Sequence, residues 1–160
     1  MPRCTRLTFF NKLVESCSSH ETAARMPQAT QNAGPSHYDL IGREVAVRKL
    51  VDRFYELMDE DPDFYAVRKL HPPELDGSRE KLFMFLSGWL GGPQLYVEAF
   101  GHPRLRARHL PFAIGIAERD QWMACMVRAM QDVGIEESLR KQLAQAFFQT
   151  ADFMRNQQNR

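Results

Sequence analysis

One stretch of the chain, Gly101 to Phe112, combines a side chain that can ligate a metal with a short helical pattern. Leu105 and His109 are four residues apart, so in a helix they lie on one face. Arg104 and Arg108 have the same spacing and form a neighbouring row, offset by one residue. The pattern predicts a helix that directs the His109 imidazole inward beside a basic flank.

Two prolines bound this predicted helix. Pro103 suits a first helical turn, and Pro111 cannot continue a helix, so the helix should have about two turns. The residue types alone leave His109 open to two interpretations, a ligand or a hydrogen-bonded core histidine. The arginines could form a solvated face or contact a phosphate. The sequence has no glycine-rich phosphate loop, no His-x-x-x-His pair on a helix and no cysteine next to a histidine.

The composition of the chain is that of a globular protein. It has 160 residues, of which 44% are hydrophobic and 26% charged, with a formal net charge of +1. We therefore expect one domain with one core. A net charge near zero gives no general attraction to nucleic acid or to anionic membranes, and we expect neither as a partner. No apolar run approaches the roughly 18 to 20 residues that span a bilayer, so we expect a soluble protein in the cytoplasm.

The cysteines give information on the compartment. Cys4, Cys17 and Cys125 do not have the paired spacing of a metal site. An odd number of cysteines in a chain of this size does not suggest a disulfide framework. We therefore expect a reducing compartment, which agrees with a cytoplasmic location.

The first part of the chain differs in composition from the rest. Residues 1–35 are rich in Ser, Thr, Gln, Asn and Ala and have no sustained apolar period, which predicts a disordered extension. Three alternatives stay open for it: a short helix over 8–17, an organelle-transit segment, or a translation start at Met26. We expect the folded domain to span 36–156 and the last residues, 157–160, to form a flexible tail.

Apolar spacings of three and four residues predict that the folded domain is helical. Ser36 caps the first short helix, with Asp39 completing a capping box, and Gly42 interrupts it. Gly91-Gly92-Pro93 and Gly134 end two later helices. No segment alternates as a strand would, so the predicted fold class is all-α, with two long C-terminal helices in a hairpin. The longer helices are predicted over 44–58, 78–90, 117–133 and 136–156, with one or two short turns over 62–69.

Three blocks of sequence carry a family resemblance. Gly88–Pro93 reads GWLGGP, Gly101–Phe112 reads GHPRLRARHLPF, and Glu118–Trp122 reads ERDQW. Together they resemble the group II truncated haemoglobins, and the likeness covers about Tyr38 to Phe153. The resemblance implies a truncated globin fold, a two-over-two helical sandwich that holds haem b. Gly42-Arg43 stands where the family has two glycines, so the bend between the first helices stays open.

The resemblance also implies the residues around the haem iron. His109 corresponds to the proximal iron ligand, and its other ring nitrogen is expected to donate to a backbone carbonyl. Tyr55 corresponds to the distal tyrosine, whose hydroxyl donates to a bound ligand. Trp122 corresponds to the distal tryptophan, whose indole N–H is a donor only. His71 stands where many relatives have tyrosine or phenylalanine, and an imidazole there predicts a ligand affinity that changes between about pH 5 and 8.

Further positions around the haem follow from the same resemblance. Ser78 stands at the conventional globin distal position, and Leu82, one turn later, should press on the bound ligand. Lys81 can reach a haem propionate, and Arg108 and Arg104 can assist as charged donors. The apolar haem contacts implied, each of which could equally be ordinary core, are Phe85, Leu86, Leu105, Phe112, Ile116, Met126 and Phe147.

The expected function is that of a haem protein whose iron can take a sixth ligand. The ligands are O2, NO and CO, and also peroxide or sulfide. Three distal hydrogen bonds should make oxygen release slow, which favours nitric oxide dioxygenation or peroxide reduction, with an unidentified reductant, over bulk oxygen transport. One alternative is a ligand sensor or scavenger without turnover, and another is a haem-free helical interaction module. The oligomeric state is expected to be a monomer or a homodimer.

Overall fold

The computed structural model describes residues 34–157. The predicted extension lies outside this range except for its last two residues, and so do residues 158–160 of the predicted tail. Helices α1 to α8 follow in order, and the described range contains no strand, so the all-α prediction is confirmed. The bounds are His37–Ile41 (α1), Arg43–Glu60 (α2), Tyr65–Arg68 (α3), Asp76–Trp89 (α4), Leu95–Phe100 (α5), Leu105–His109 (α6), Ile116–Asp132 (α7) and Glu137–Met154 (α8), with a 3₁₀ turn at Pro62–Phe64.

Four helices build the sandwich. Helix α2 packs against α4, α7 packs against α8, and α2 also packs against α7, so the two pairs form two layers. Their facing sides bury one hydrophobic core, because the apolar residues recur at helical spacing. No helix in the described range has the length and apolar character needed to cross a membrane. The fully buried large side chains include Leu50, Phe54, Met58, Leu86, Met126, Met130 and Leu143.

The first bend forms without the second glycine. The predicted capping box is present, with the Ser36 hydroxyl accepting from the Asp39 N–H. Gly42 then has a φ of 106°, and Arg43 also adopts a positive φ, of 59°. The Arg43 guanidinium is paired with Asp39 at 3.0 Å. An arginine is therefore held in a backbone conformation that glycine adopts more easily.

The end of α4 holds α1 in place. The Tyr38 N–H donates to the Leu90 carbonyl at 2.9 Å. A β-carbon on Gly92 would lie 2.6 Å from the Tyr38 ring, so only glycine permits this close approach. Gly91 has a φ of 93° in the same turn. The Gly-Gly-Pro sequence thus both ends α4 and makes room for the first helix.

The predicted helices are close to those observed, with one omission. Helix α4 begins at Asp76, two residues before the predicted start, and α7 and α8 agree within a residue or two. Helix α5 was not predicted, because six residues between a Gly-Gly-Pro stop and Gly101 are too few to show a helical period. This short helix brings Tyr96 into a buried position next to Phe85.

Candidate functional site

His109 is the last residue of α6, and its ring is held by its own helix. Its Nδ1 lies 2.7 Å from the Leu105 carbonyl oxygen, one turn earlier. A carbonyl can only accept, so Nδ1 carries the proton and donates. The neutral ring then presents an unprotonated Nε2 on its far side, which is the form that ligates iron. The imidazole is half-buried.

The start of α6 differs from the prediction. Arg104 is the N-cap, in a left-handed conformation with φ 45° and ψ 46°, and its N–H donates to the His102 Nδ1 at 3.1 Å. Pro103 therefore lies before the helix, and its predicted place in the first turn is wrong. The helix has only five residues, because the chain cannot turn into it until after Arg104.

The arginines of this segment have separate surroundings. Arg108 donates through Nε to the Pro103 carbonyl at 3.0 Å, and its guanidinium lies 5.9 Å from the centre of the Tyr96 ring. Arg104 lies at an open groove of about 560 Å³ between the α6 segment and α8. Leu105 also lines this groove, but His109 does not. The predicted contacts of both arginines with a haem propionate stay predictions.

Tyr55 lies in the buried face of α2, with 4% of its surface exposed. Burial raises the pKa of its hydroxyl well above the ordinary value, so the group stays protonated. A hydrogen bond with the Ser78 hydroxyl and the positive charge of Arg79 oppose this rise. The Arg79 guanidinium lies 5.8 Å from the Tyr55 ring centre and also donates to the Asp52 carboxylate. Tyr55 is therefore a neutral hydrogen-bond donor, and the sequence did not indicate its charged neighbour.

His71 follows α3 and meets Tyr55 edge to face. The ring centroids are 5.8 Å apart, and the His71 Nδ1 lies 2.9 Å from the Val67 carbonyl, to which it donates. Burial lowers the pKa of His71, and the charges of Arg68 and His109 lower it further. The electrostatic influence of His109 indicates that the two imidazoles lie near the same space. A neutral His71 with its proton on Nδ1 leaves Nε2 as a hydrogen-bond acceptor, whereas the sequence had left donor and acceptor roles open.

Trp122 is half-buried in α7 between two phenylalanines. Its ring centroid lies 5.4 Å from that of Phe54 and 5.9 Å from that of Phe147. Phe147 in turn stacks on Trp89 at 4.7 Å. Within residues 34–157, no group accepts a hydrogen bond from the Trp122 indole N–H, so this donor is available to a ligand. Packing fixes the ring, and its polar atom is left free.

The other predicted haem contacts fall into two groups. Leu86, Met126 and Phe147 are closed into the core, while Ser78, Leu82, Phe85 and Leu105 are half-buried. The exposed ones are Lys81, Phe112 at 43% and Ile116 at 39%; Leu110, which the sequence did not single out, is 57% exposed.

Cys125 is a second buried group that the sequence did not indicate. Its thiol donates to the Phe54 carbonyl at 3.3 Å, one residue before Tyr55. Burial raises the pKa of the thiol to about 12. The group is therefore a neutral thiol that ties α7 to α2 at the level of the site.

The residues around His109 fit a haem group. A free Nε2 supplies one axial ligand, and the segment that follows leaves Leu110, Phe112 and Ile116 uncovered, as a flat apolar group would require. In the described range, no group of three or more His, Cys, Asp or Glu residues could hold a metal ion by itself. Lys81 is exposed on α4 and can reach an anionic group.

Comparisons with known proteins agree with this geometry. A model of the family described as bacterial-like globin matches residues 36–156. The group 2 truncated hemoglobin YjbI of Bacillus subtilis is 42% identical over 120 residues, which are 75% of this chain and 88% of that protein. The group II 2-on-2 hemoglobin of Agrobacterium tumefaciens has a TM-score of 0.76 at 42% identity, over 80% and 99% of the chains. The cold-adapted truncated hemoglobin of Pseudoalteromonas haloplanktis TAC125 has a TM-score of 0.75 at 42% identity, over 78% and 100%.

Proposed function

Because the chain belongs to the bacterial-like globins, as a group II truncated haemoglobin, we propose that it binds haem b through His109 and holds a diatomic ligand beside Tyr55 and Trp122. When bound, haem supplies the iron that takes up the ligand and exchanges electrons with it. The ligands of this proposal are O2, NO and CO. The observation that carries it is the His109 ring, whose Nδ1 donates to Leu105 and whose Nε2 is free.

The distal side chains favour slow release of a bound ligand. The Tyr55 hydroxyl is neutral and the Trp122 indole N–H has no acceptor in the described range, so both can donate to a ligand. Each such hydrogen bond is worth about 0.5–1.5 kcal/mol, which slows release roughly 2- to 13-fold. Slow release suits chemistry on the ligand better than delivery of oxygen in bulk.

His71 favours oxidative chemistry over simple storage. Its lowered pKa keeps the ring neutral, and its Nδ1 donates to Val67, so Nε2 is an acceptor. Such an acceptor can take a proton from hydrogen peroxide that enters the cavity. We therefore propose peroxide reduction as the reaction that this chain's own residues favour, with nitric oxide dioxygenation as the second. Both reactions require electrons from a reductant that is still to be identified.

Two other functions are distinguished by simple measurements. A ligand sensor or scavenger would use the same cavity without turnover, so it would show ligand binding but no catalytic cycle with any reductant. A haem-free interaction module would show no haem uptake at all.

The test of the proposal is the absorption spectrum of the full chain after addition of haemin. We expect a Soret band in the wild-type protein, a reduced or absent band with His109→Ala, and an unchanged band with His37→Ala, which replaces a histidine on α1. A wild-type protein that stays colourless and cannot take up haemin would contradict the proposal. Loss of added peroxide in the presence of a reductant, measured against His71→Phe, then separates turnover from binding.

A further inference from the structure

The inference concerns what holds the His109 helix in position, and it rests on the proposed role of His109 as the iron ligand. Helix α6 has five residues, and a helix of this length is not stable by itself. The carbonyl groups at its C-terminal end have few partners within the helix. The direction of the His109 ring must therefore be set by contacts from elsewhere in the chain.

Asn156, just after the end of α8, supplies these contacts. Its Nδ2 donates to the His109 carbonyl at 3.1 Å and to the Phe112 carbonyl at 2.7 Å. Its Oδ1 accepts from the Ile114 N–H at 3.1 Å. One side-chain amide thus uses both of its donors and its acceptor on the segment that follows the ligand residue. Only asparagine, or a longer glutamine, carries donors and an acceptor together.

The amide is itself fixed in orientation. The Asn156 N–H donates to the Ile114 carbonyl at 2.9 Å, and the Gln157 N–H donates to the same oxygen at 3.1 Å. The Gln157 side chain also donates to the Asn156 Oδ1 at 3.1 Å. Asn156 is half-buried, so water competes only in part for these hydrogen bonds.

A second tie connects the same two parts of the chain. The Arg106 guanidinium donates to the carbonyls of Phe153 and Arg155, at the end of α8. Arg106 therefore holds the first turn of α6, and Asn156 holds its last residue. The short helix is fastened at both ends to the C-terminal residues of the domain.

We propose that Asn156 is a positioning residue for His109. The ring is fixed to its helix by the hydrogen bond from Nδ1 to Leu105, and the end of that helix is fixed by Asn156. The imidazole therefore moves with α6 as one body, and the Asn156 amide sets the direction in which Nε2 points. Loss of the amide leaves His109 as a ligand but lets its direction and distance vary.

The experiment compares Asn156→Ala, Asn156→Asp and the surface control Gln145→Ala in the full chain loaded with haemin. The readouts are the iron–histidine stretching band of the ferrous protein by resonance Raman spectroscopy and the rate of haemin transfer to apomyoglobin. We expect both Asn156 variants to shift or broaden the band and to lose haemin about 2- to 13-fold faster, the effect of one lost hydrogen bond. Gln145→Ala should match the wild type in both.

A second measurement needs no haem. Amide hydrogen exchange of residues 110–114 should be faster in Asn156→Ala, and Ile114 should stay protected in Asn156→Asp, which keeps the acceptor for that N–H. If exchange and the Raman band match the wild type while only the melting temperature falls, Asn156 merely anchors a chain end and the proposal is overturned. If Asn156→Ala does not fold, Asn156→Asp decides by the same criteria. A wild-type protein without haem uptake would overturn the proposed function, while the exchange measurement would still judge the Asn156 contacts.

Discussion

The Tyr55 and His71 rings meet edge to face, with their centroids 5.8 Å apart and their planes at 81°. Burial acts on both rings in the direction of the uncharged form, because it raises the pKa of the Tyr55 hydroxyl and lowers that of the His71 imidazole. A neutral donor therefore lies beside a neutral acceptor. A cavity without net charge suits small uncharged ligands.

The first prediction concerns the Tyr55 hydroxyl. Tyr55→Phe removes a neutral donor and keeps the ring, so we expect oxygen to dissociate from the haem-loaded protein about 2- to 13-fold faster. Stopped-flow displacement of oxygen by CO measures the rate. Tyr65→Phe makes the same chemical change at an exposed position on α3 and should have no effect. An unchanged rate in Tyr55→Phe would mean that this hydroxyl does not reach the ligand.

The second prediction concerns the Trp122 indole. Trp122→Phe keeps an aromatic ring between Phe54 and Phe147 but removes the free N–H, so oxygen dissociation should again become faster. Trp89→Phe, on the other side of Phe147, makes the same replacement away from the donor and should leave the rate within a factor of about two, less than the loss of one hydrogen bond. Equal effects of the two variants would indicate that aromatic packing, rather than hydrogen bonding, controls release.

The third prediction is a pH dependence caused by His71. Its pKa is lowered in the folded state, so the unfolded chain binds more protons as the pH falls below about 6.5. The folded protein should therefore lose stability on acidification through that range, and His71→Phe should lose less. Urea unfolding of the haem-free chain at pH 7.5 and 5.5 measures the difference.

The same shift changes the expected pH range for ligand binding. Ligand affinity should be constant above neutral pH and change only on the acid side, where His71 gains its proton near Arg68 and His109. A change in affinity centred above pH 7 would contradict this assignment, and so would equal acid losses of stability in the wild type and His71→Phe.

The fourth prediction concerns the first bend. Arg43 has a φ of 59°, a conformation that costs a side-chain-bearing residue about 1 kcal/mol relative to glycine. Arg43→Gly should therefore raise the free energy of unfolding by roughly 0.5–1 kcal/mol, after loss of the exposed pair with Asp39. Arg43→Ala loses the pair and keeps the strain, so it should be no more stable than the wild type. Chemical denaturation in one haem state compares the three, and a destabilised Arg43→Gly would show that the arginine itself holds the bend.

Local patterns explain why much of the fold could be predicted from the sequence. The Ser36 capping box, the apolar face of α2 that carries Tyr55, and the Gly-Gly-Pro stop after α4 each depend on residues a few positions apart. Such features follow from helical spacing and from the chemistry of helix ends. The family resemblance then pointed to His109, whose hydrogen bond to Leu105 has the expected form.

Contacts between distant parts of the chain explain what the sequence did not indicate. Asn156 and His109 are 47 positions apart, and no pattern in either segment indicates that they meet. The protonation of His71 depends on how deeply it is buried and on the charges beside it. The left-handed Arg104 moved the start of α6 by a residue or two, because single-residue conformations of this kind are rare outside glycine.

The buried thiol of Cys125 affects how long such a protein survives its own reaction. Peroxide attacks the thiolate form of cysteine and converts it in steps to acids that cannot all be reversed. With a pKa of about 12 and its proton donated to the Phe54 carbonyl, Cys125 holds almost no thiolate at neutral pH. A sulfur atom next to the ligand cavity is thus chemically silent, and the oxidant can be consumed repeatedly without damage at this position.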